Sequence, residues 1–166
     1  MNLTSTSGQT FRSASAKVFR LRFLFLGLIK DCAASRRIMN RQDATARFAH
    51  IHALIAEDDA LIALDMEQTL CAHFGFRASV VHGLGEGLKF LSGDRPHVAV
   101  LDLNLDGESI EPLARALFEA GVPILYVSGY RHHPLDELAW GLKLEKPYSA
   151  EQLIEMMERT LEQLEG

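Results

Sequence analysis

The sequence predicts an α/β protein built on a doubly wound, five-stranded parallel sheet. Three observations predict it. From residue 51 onward, short apolar runs alternate with amphipathic stretches at helical spacing, which is the signature of βαβ units. The run VAVLDL (98–103) opens with four apolar residues and shows no polar alternation, as expected of a strand covered on both faces. Four of the five runs end in a reactive or polar side chain: Glu57/Asp58, Asp102, Ser128 and Lys146.

The elements follow in order. IHALIA (51–56) predicts the first strand. Ala60 to Phe74 then sets Leu61, Leu64, Ala72 and Ile62, Met66, Leu70, Phe74 at helical spacing, and Gly75 stands where a left-handed residue closes a helix. FRASVV (76–81) predicts the second strand, and Glu86 to Leu91 a helix ended by Ser92-Gly93. VAVLDL follows Pro96 as the third strand. DGES predicts a loop, and Ser109 caps a helix to Ala120 with Pro112 tolerated in its first turn. PILYVSG (123–129) and LKLEK (142–146) predict the fourth and fifth strands, and RHHPLDELAWG between them leaves room for only a short or irregular helix. Ser149-x-x-Gln152 is a capping box opening a last helix to about Leu164. Its stripe of Leu153, Met156, Met157, Thr160, Leu161 and Leu164 is expected to cover the sheet. Part of it is left open as a homodimer or partner surface.

Charge divides the chain of 166 residues. Residues 1–50 carry nine Lys/Arg against two Asp, a net of +7, whereas 51–166 carry 8 basic and 20 acidic side chains, a net of −12. A basic, disordered extension over 1–50 and one folded domain over 51–166 are expected. An acidic domain repels phosphate backbones, which argues against a nucleic-acid role. The longest apolar run of the extension, Phe23 to Ile29, is seven residues, against roughly 17–25 needed to span a bilayer. Its readings are a disordered tail, a start of the protein at Met39, or a basic amphipathic helix on an anionic membrane. Cys32 and Cys71 make neither a disulfide framework nor zinc-ligand spacing, so a cytoplasmic setting is expected.

In a doubly wound sheet, ligands bind at the carboxyl ends of the strands. Glu57, Asp58 and Asp102 converge there as a hard oxygen site suited to Mg²⁺, and a cation relieves the repulsion among them. Asp59 stands one place beyond the pair and reads as a helix cap. Asp102, at the end of the most buried strand, is best placed as a carboxylate nucleophile. Ser128 and Lys146 offer a hydroxyl and an ammonium to an anion held beside the metal. The adjacent His132 and His133 lie in a polar loop and read as solvated, and Trp140 reads as packing.

On these residues the stretch from about 51 to 165 resembles the receiver domain of response regulators, with a flavodoxin/CheY-like (βα)5 fold. The resemblance implies Mg²⁺ on Glu57, Asp58, Asp102 and the backbone carbonyl of Asn104. It implies phosphorylation of Asp102, phosphate contacts from Ser128 and Lys146, and a cis bond before Pro147. PILYVSGY and DLNLDGESIEPLARAL resemble the "FAT GUY" single-domain receivers associated with HWE-type histidine kinases. One position departs from the family: Lys143 stands where many receivers carry a switching aromatic residue, and Tyr126 or Tyr130 is the candidate to replace it.

The expected function is therefore that of a single-domain response regulator. It takes a phosphoryl group on Asp102 from a histidine kinase or phosphotransfer protein in a Mg²⁺-dependent phosphorelay. It catalyses its own phosphotransfer and dephosphorylation without being a metabolic enzyme. The sequence ends at Gly166, which leaves no stretch for an output domain, so a downstream protein partner is expected. Two alternatives stand beside this reading. One is a phosphorylation-independent pseudo-receiver scaffold. The other is a small haloacid-dehalogenase-like phosphatase, which needs an acid where Asn104 stands.

Overall fold

A computed structural model describes residues 41–129 and 140–164. The expectations for residues 1–40, for Tyr130 and for the segment holding His132 and His133 lie outside those residues. The elements are α1 (Arg41–Phe48), β1 (His52–Ala56), α2 (Ala60–Phe74), β2 (Arg77–Val81), α3 (Leu84–Gly93) and β3 (Val98–Asp102). They continue with β4 (Asn104–Leu105), β5 (Glu108–Ser109), α4 (Glu111–Glu119), β6 (Ile124–Ser128), β7 (Leu142–Glu145), α5 (Ala150–Leu161) and a closing 3₁₀ turn, Glu162–Leu164.

The main sheet is five-stranded and parallel throughout, in the order β2-β1-β3-β6-β7. From β1 the path steps outward to β2, then returns past β1 and runs to the other edge. The order reverses between β1 and β3, so the crevice of the sheet opens above their carboxyl ends.

Period-two alternation along the strands supplies one core to each face. Ala53, Ile55, Val98, Val100, Leu125 and Val127 pack with Met66, Leu70 and Phe74 of α2 and Leu153, Met157 and Leu161 of α5. Leu54, Leu101, Ile124 and Tyr126 pack on the other face with Leu113 and Leu117 of α4. The α5 stripe therefore covers the sheet as expected, except for Leu164, which is 38% exposed.

Most element bounds match the sequence reading to within a residue or two, with three informative differences. The first concerns the boundary expected at residue 50. Residues 41–48 form a helix whose Ala44 and Phe48 are buried in the core with Phe74 and Phe76. Phe48 meets Phe74 edge to face at 5.8 Å, and the Thr45 hydroxyl donates to the carbonyl of His73 near the end of α2. Two buried positions in a short polar helix carry little periodic signal, which is why the helix was not legible. Phe48→Ala is expected to destabilise the protein by about 3 kcal/mol, checked by chemical denaturation; a change near zero would show that α1 is not part of the core.

The second difference is the expected DGES loop, which is a hairpin: β4 and β5 pair antiparallel across Asp106-Gly107. Both turn residues have positive φ, 49° and 79°, the conformation for which Asp-Gly is favoured in two-residue hairpins. Third, α4 is assigned from Glu111 with Ile110 as its N-cap residue, one place after the expected cap Ser109, and Ile110 is already at helical dihedrals. The Ser109 hydroxyl still accepts from the Glu111 N–H at 3.3 Å. The expected cap residue thus reaches the first turn of the helix. Elsewhere the caps form as read. Gly75 closes α2 at φ 74°, and Ser149 and Gln152 make a reciprocal capping box.

Candidate functional site

The carboxyl ends of β1, β3 and β7 bring Glu57, Asp102 and Lys146 into contact. Lys146 Nζ donates to Glu57 Oε2 at 2.8 Å and to Asp102 Oδ2 at 2.7 Å. Glu57 is 1% exposed and Asp102 7%, so a partly buried cation, its side chain 22% exposed, bridges two buried carboxylates. It lies at the switch point of the sheet and across 89 and 44 residues of sequence. Asp58 joins the group: oxygens of Glu57, Asp58 and Asp102 all lie within 4.8 Å of one another.

Backbone groups hold the acids in place. The Asn104 N–H donates to Asp102 Oδ1 at 2.9 Å. The Asp106 N–H donates to Asp58 Oδ2 at 3.1 Å, so the β4–β5 hairpin reaches across to β1. The Glu57 N–H donates to the Val81 carbonyl, and the Lys146 N–H to the Ser128 carbonyl at 2.8 Å. Asp59 accepts from Leu61 N and Ile62 N at 2.8 and 3.2 Å. It is the N-cap of α2, as read, and stands apart from the carboxylate cluster.

The electrostatics follow from burial and pairing. Burial pushes the Glu57 carboxyl up to about 7; the Lys146 bond partly offsets this and the Asp102 charge adds to it. Burial also acts upward on Asp58, but N–H bonds from Asp106 and from its own backbone outweigh it and hold the group below its ordinary value. For Lys146, burial acts downward, and the bonds to Asp102 and Glu57 outweigh it, keeping the ammonium above its ordinary value.

Ser128 ends β6 and is 1% exposed. Two residues earlier, Tyr126 is buried in the core, and its hydroxyl has no hydrogen-bond partner among the described residues. Burial pushes that phenol up to about 12. Tyr126 is the register partner of Lys143 on β7, the position that departs from the receiver pattern. The Lys146–Pro147 peptide is cis. Trp140 packs as expected, stacked on Phe118 at 5.3 Å with the Arg115 guanidinium 5.2 Å from its ring centre.

No protein-family model matches the chain, and no curated protein does. Solved structures do match. A response-regulator receiver protein from Sinorhizobium medicae is 29% identical, with 68% of this chain and 94% of that one covered and a TM-score of 0.59. A CheY-like receiver domain from Methanospirillum hungatei is 23% identical, covering 69% and 96%, with a TM-score of 0.62. The signal receiver domain of a putative LuxO repressor from Vibrio parahaemolyticus is 19% identical, covering 70% and 93%, with a TM-score of 0.60.

The fold is that of CheY-like receiver domains. Within the receiver fold, Glu57, Asp58, Asp102, Asn104, Ser128 and Lys146 all sit at the carboxyl edge of the sheet. The three acids suit a hard divalent cation such as Mg²⁺, which takes one or two carboxylates and retains waters. The sequence reading missed the Asp106 N–H. Its signal was the Asp-Gly pair, which marks a tight hairpin turn four residues after Asp102.

Proposed function

We propose that this chain is a response regulator that receives a phosphoryl group on Asp102 with Mg²⁺ held by Glu57, Asp58, Asp102 and the Asn104 carbonyl. The observation that carries it is the Lys146 bridge between Glu57 and Asp102 at the switch point. A partly buried ammonium there is poised to pair with an anion bonded to Asp102. When bound, Mg²⁺ supplies positive charge to the phosphoryl oxygens as charge develops in transfer.

The chain's own groups do the rest. An Asp102 carboxylate oxygen attacks phosphorus, and the bond to the imidazole nitrogen of a kinase phosphohistidine breaks. The Asn104 N–H orients the Asp102 carboxylate, and Lys146 passes from it to the new phosphoryl group. Ser128 donates its hydroxyl to a phosphoryl oxygen. Tyr126 takes the place of the aromatic residue absent at 143: its backbone is in register with that position, and its buried hydroxyl gains a partner in the phosphorylated form. Hydrolysis of the acyl phosphate returns the site to its start, so the protein acts once per phosphoryl group and is no metabolic enzyme. Output is by binding a protein partner, in the cytoplasm. Among the described residues no helix is long and apolar enough to cross a membrane. An HWE-type donor kinase is proposed on the likeness of PILYVSGY alone.

The test is intact mass after incubation with acetyl phosphate. A single phosphoryl adduct is expected with Mg²⁺, lost on chelation and lost in Asp102→Asn. No adduct, together with no Mg²⁺ binding, would replace this reading with that of a phosphorylation-independent scaffold.

A further inference from the structure

His82 follows β2 and is exposed, yet it is tied to the site from outside. Its Nδ1 lies 2.9 Å from the carbonyl oxygen of Glu57. A carbonyl only accepts, so Nδ1 carries the proton and donates, whether the ring is neutral or charged. The sheet explains why a side chain does this. Glu57 N donates to Val81 O, extending the β1–β2 ladder by one rung. The next rung would need an N–H from β2, but the chain turns away at Gly83 to begin α3. The imidazole takes the place of that missing donor and satisfies the Glu57 carbonyl. His82 is itself held by Glu86, whose Oε2 accepts from the His82 N–H at 2.9 Å.

The Glu57 carbonyl lies in the peptide plane that joins Glu57 to Asp58. Fixing that plane fixes the directions in which two of the three clustered carboxylates leave the backbone. We propose that His82 is a positioning residue for the cation site, holding the Glu57–Asp58 peptide in the orientation that lets both carboxylates meet Asp102. This rests on the reading of the site as a Mg²⁺ site. Groups that orient metal ligands in this way typically change metal affinity by about 10–100-fold when removed.

The experiment is a calorimetric Mg²⁺ titration of the full chain and of three variants, at one pH. His82→Ala is expected to weaken Mg²⁺ binding by about tenfold. Phosphoryl uptake from acetyl phosphate at saturating Mg²⁺ stays close to wild type. His82→Asn places an amide N–H near the Nδ1 position and is expected to restore affinity. His82→Gln places it near Nε2 and is expected to bind as weakly as alanine. A merely structural role would lower thermal stability without this separation of Asn from Gln. Wild-type affinity in all three variants, or an asparagine variant as weak as alanine, overturns the proposal. Absence of Mg²⁺ binding by the wild type overturns the reading of the site itself, and the positioning role with it.

Discussion

Lys146→Met is expected to destabilise the metal-free protein by about 3 kcal/mol at pH 8. The ammonium is bonded to two carboxylates whose side chains are 1% and 10% exposed, and is itself only 22% exposed. Removing it leaves two negative charges facing each other away from water. Loss of one partner of a buried pair typically costs about 3–5 kcal/mol. The low end applies because Glu57 already titrates near 7 and relieves the clash by taking a proton. The loss should therefore shrink at pH 6, and Mg²⁺ should restore part of it. Phosphoryl uptake should fall by about 10²-fold, the usual effect of deleting one group that meets developing charge. Denaturation at both pH values checks the first part and intact-mass kinetics the second. A loss below 1 kcal/mol at pH 8 would mean the bridge is solvated, and the description of a cation screened from water between buried carboxylates would fail.

The second large effect is pH dependence through Glu57. Burial raises its carboxyl from 4.5 to about 7, so the folded state holds this proton more tightly than the unfolded chain does. The group's contribution to stability is fully present below pH 4.5 and is lost as pH rises through about 7. Linkage makes that loss on the order of 3 kcal/mol in the metal-free protein. Mg²⁺ requires the ionised carboxylate, so its affinity should rise with pH up to about 7 and then level off. Mg²⁺ should accordingly stabilise the protein more at pH 8 than at pH 6. His52 works in the opposite sense. It is 5% exposed, and burial first and Arg77 second lower its pKa from 6.5. Its contribution is present above pH 6.5 and is lost as pH falls. The difference between wild type and Glu57→Gln isolates the Glu57 part, since both proteins share His52. Superimposable pH–stability profiles for the two would refute the assignment.

Legibility in the sequence followed the range of the interaction. VAVLDL announced a doubly buried strand because six consecutive residues share one environment, and Val98–Asp102 is buried at every position. Asp59, Gly75 and the Ser149/Gln152 box were legible because caps are made by neighbours within a few residues. Helix α1 was not legible. Its burial comes from Phe74 and Phe76, residues distant in sequence, and its own composition is polar. The β4–β5 hairpin was half legible: Asp-Gly marked a turn, but nothing local shows that the Asp106 N–H would reach Asp58. His82 carried no signal, because its role arises from a ladder that ends one rung early.

By itself the sequence determined the five strands of the main sheet, the described helices that follow the first, second, third and last of them, and which residues stand at the strand ends. Periodicity, turn chemistry and capping are local, and each residue reports its own surroundings. Only the tertiary structure decided which strand ends meet. The order β2-β1-β3-β6-β7 sets Glu57 beside Asp102, and Lys146 reaches both from the far edge strand. Those contacts bridge tens of residues, and their energy depends on exclusion of water by the folded sheet. A string of separated charges therefore becomes a site only when the strands are laid side by side.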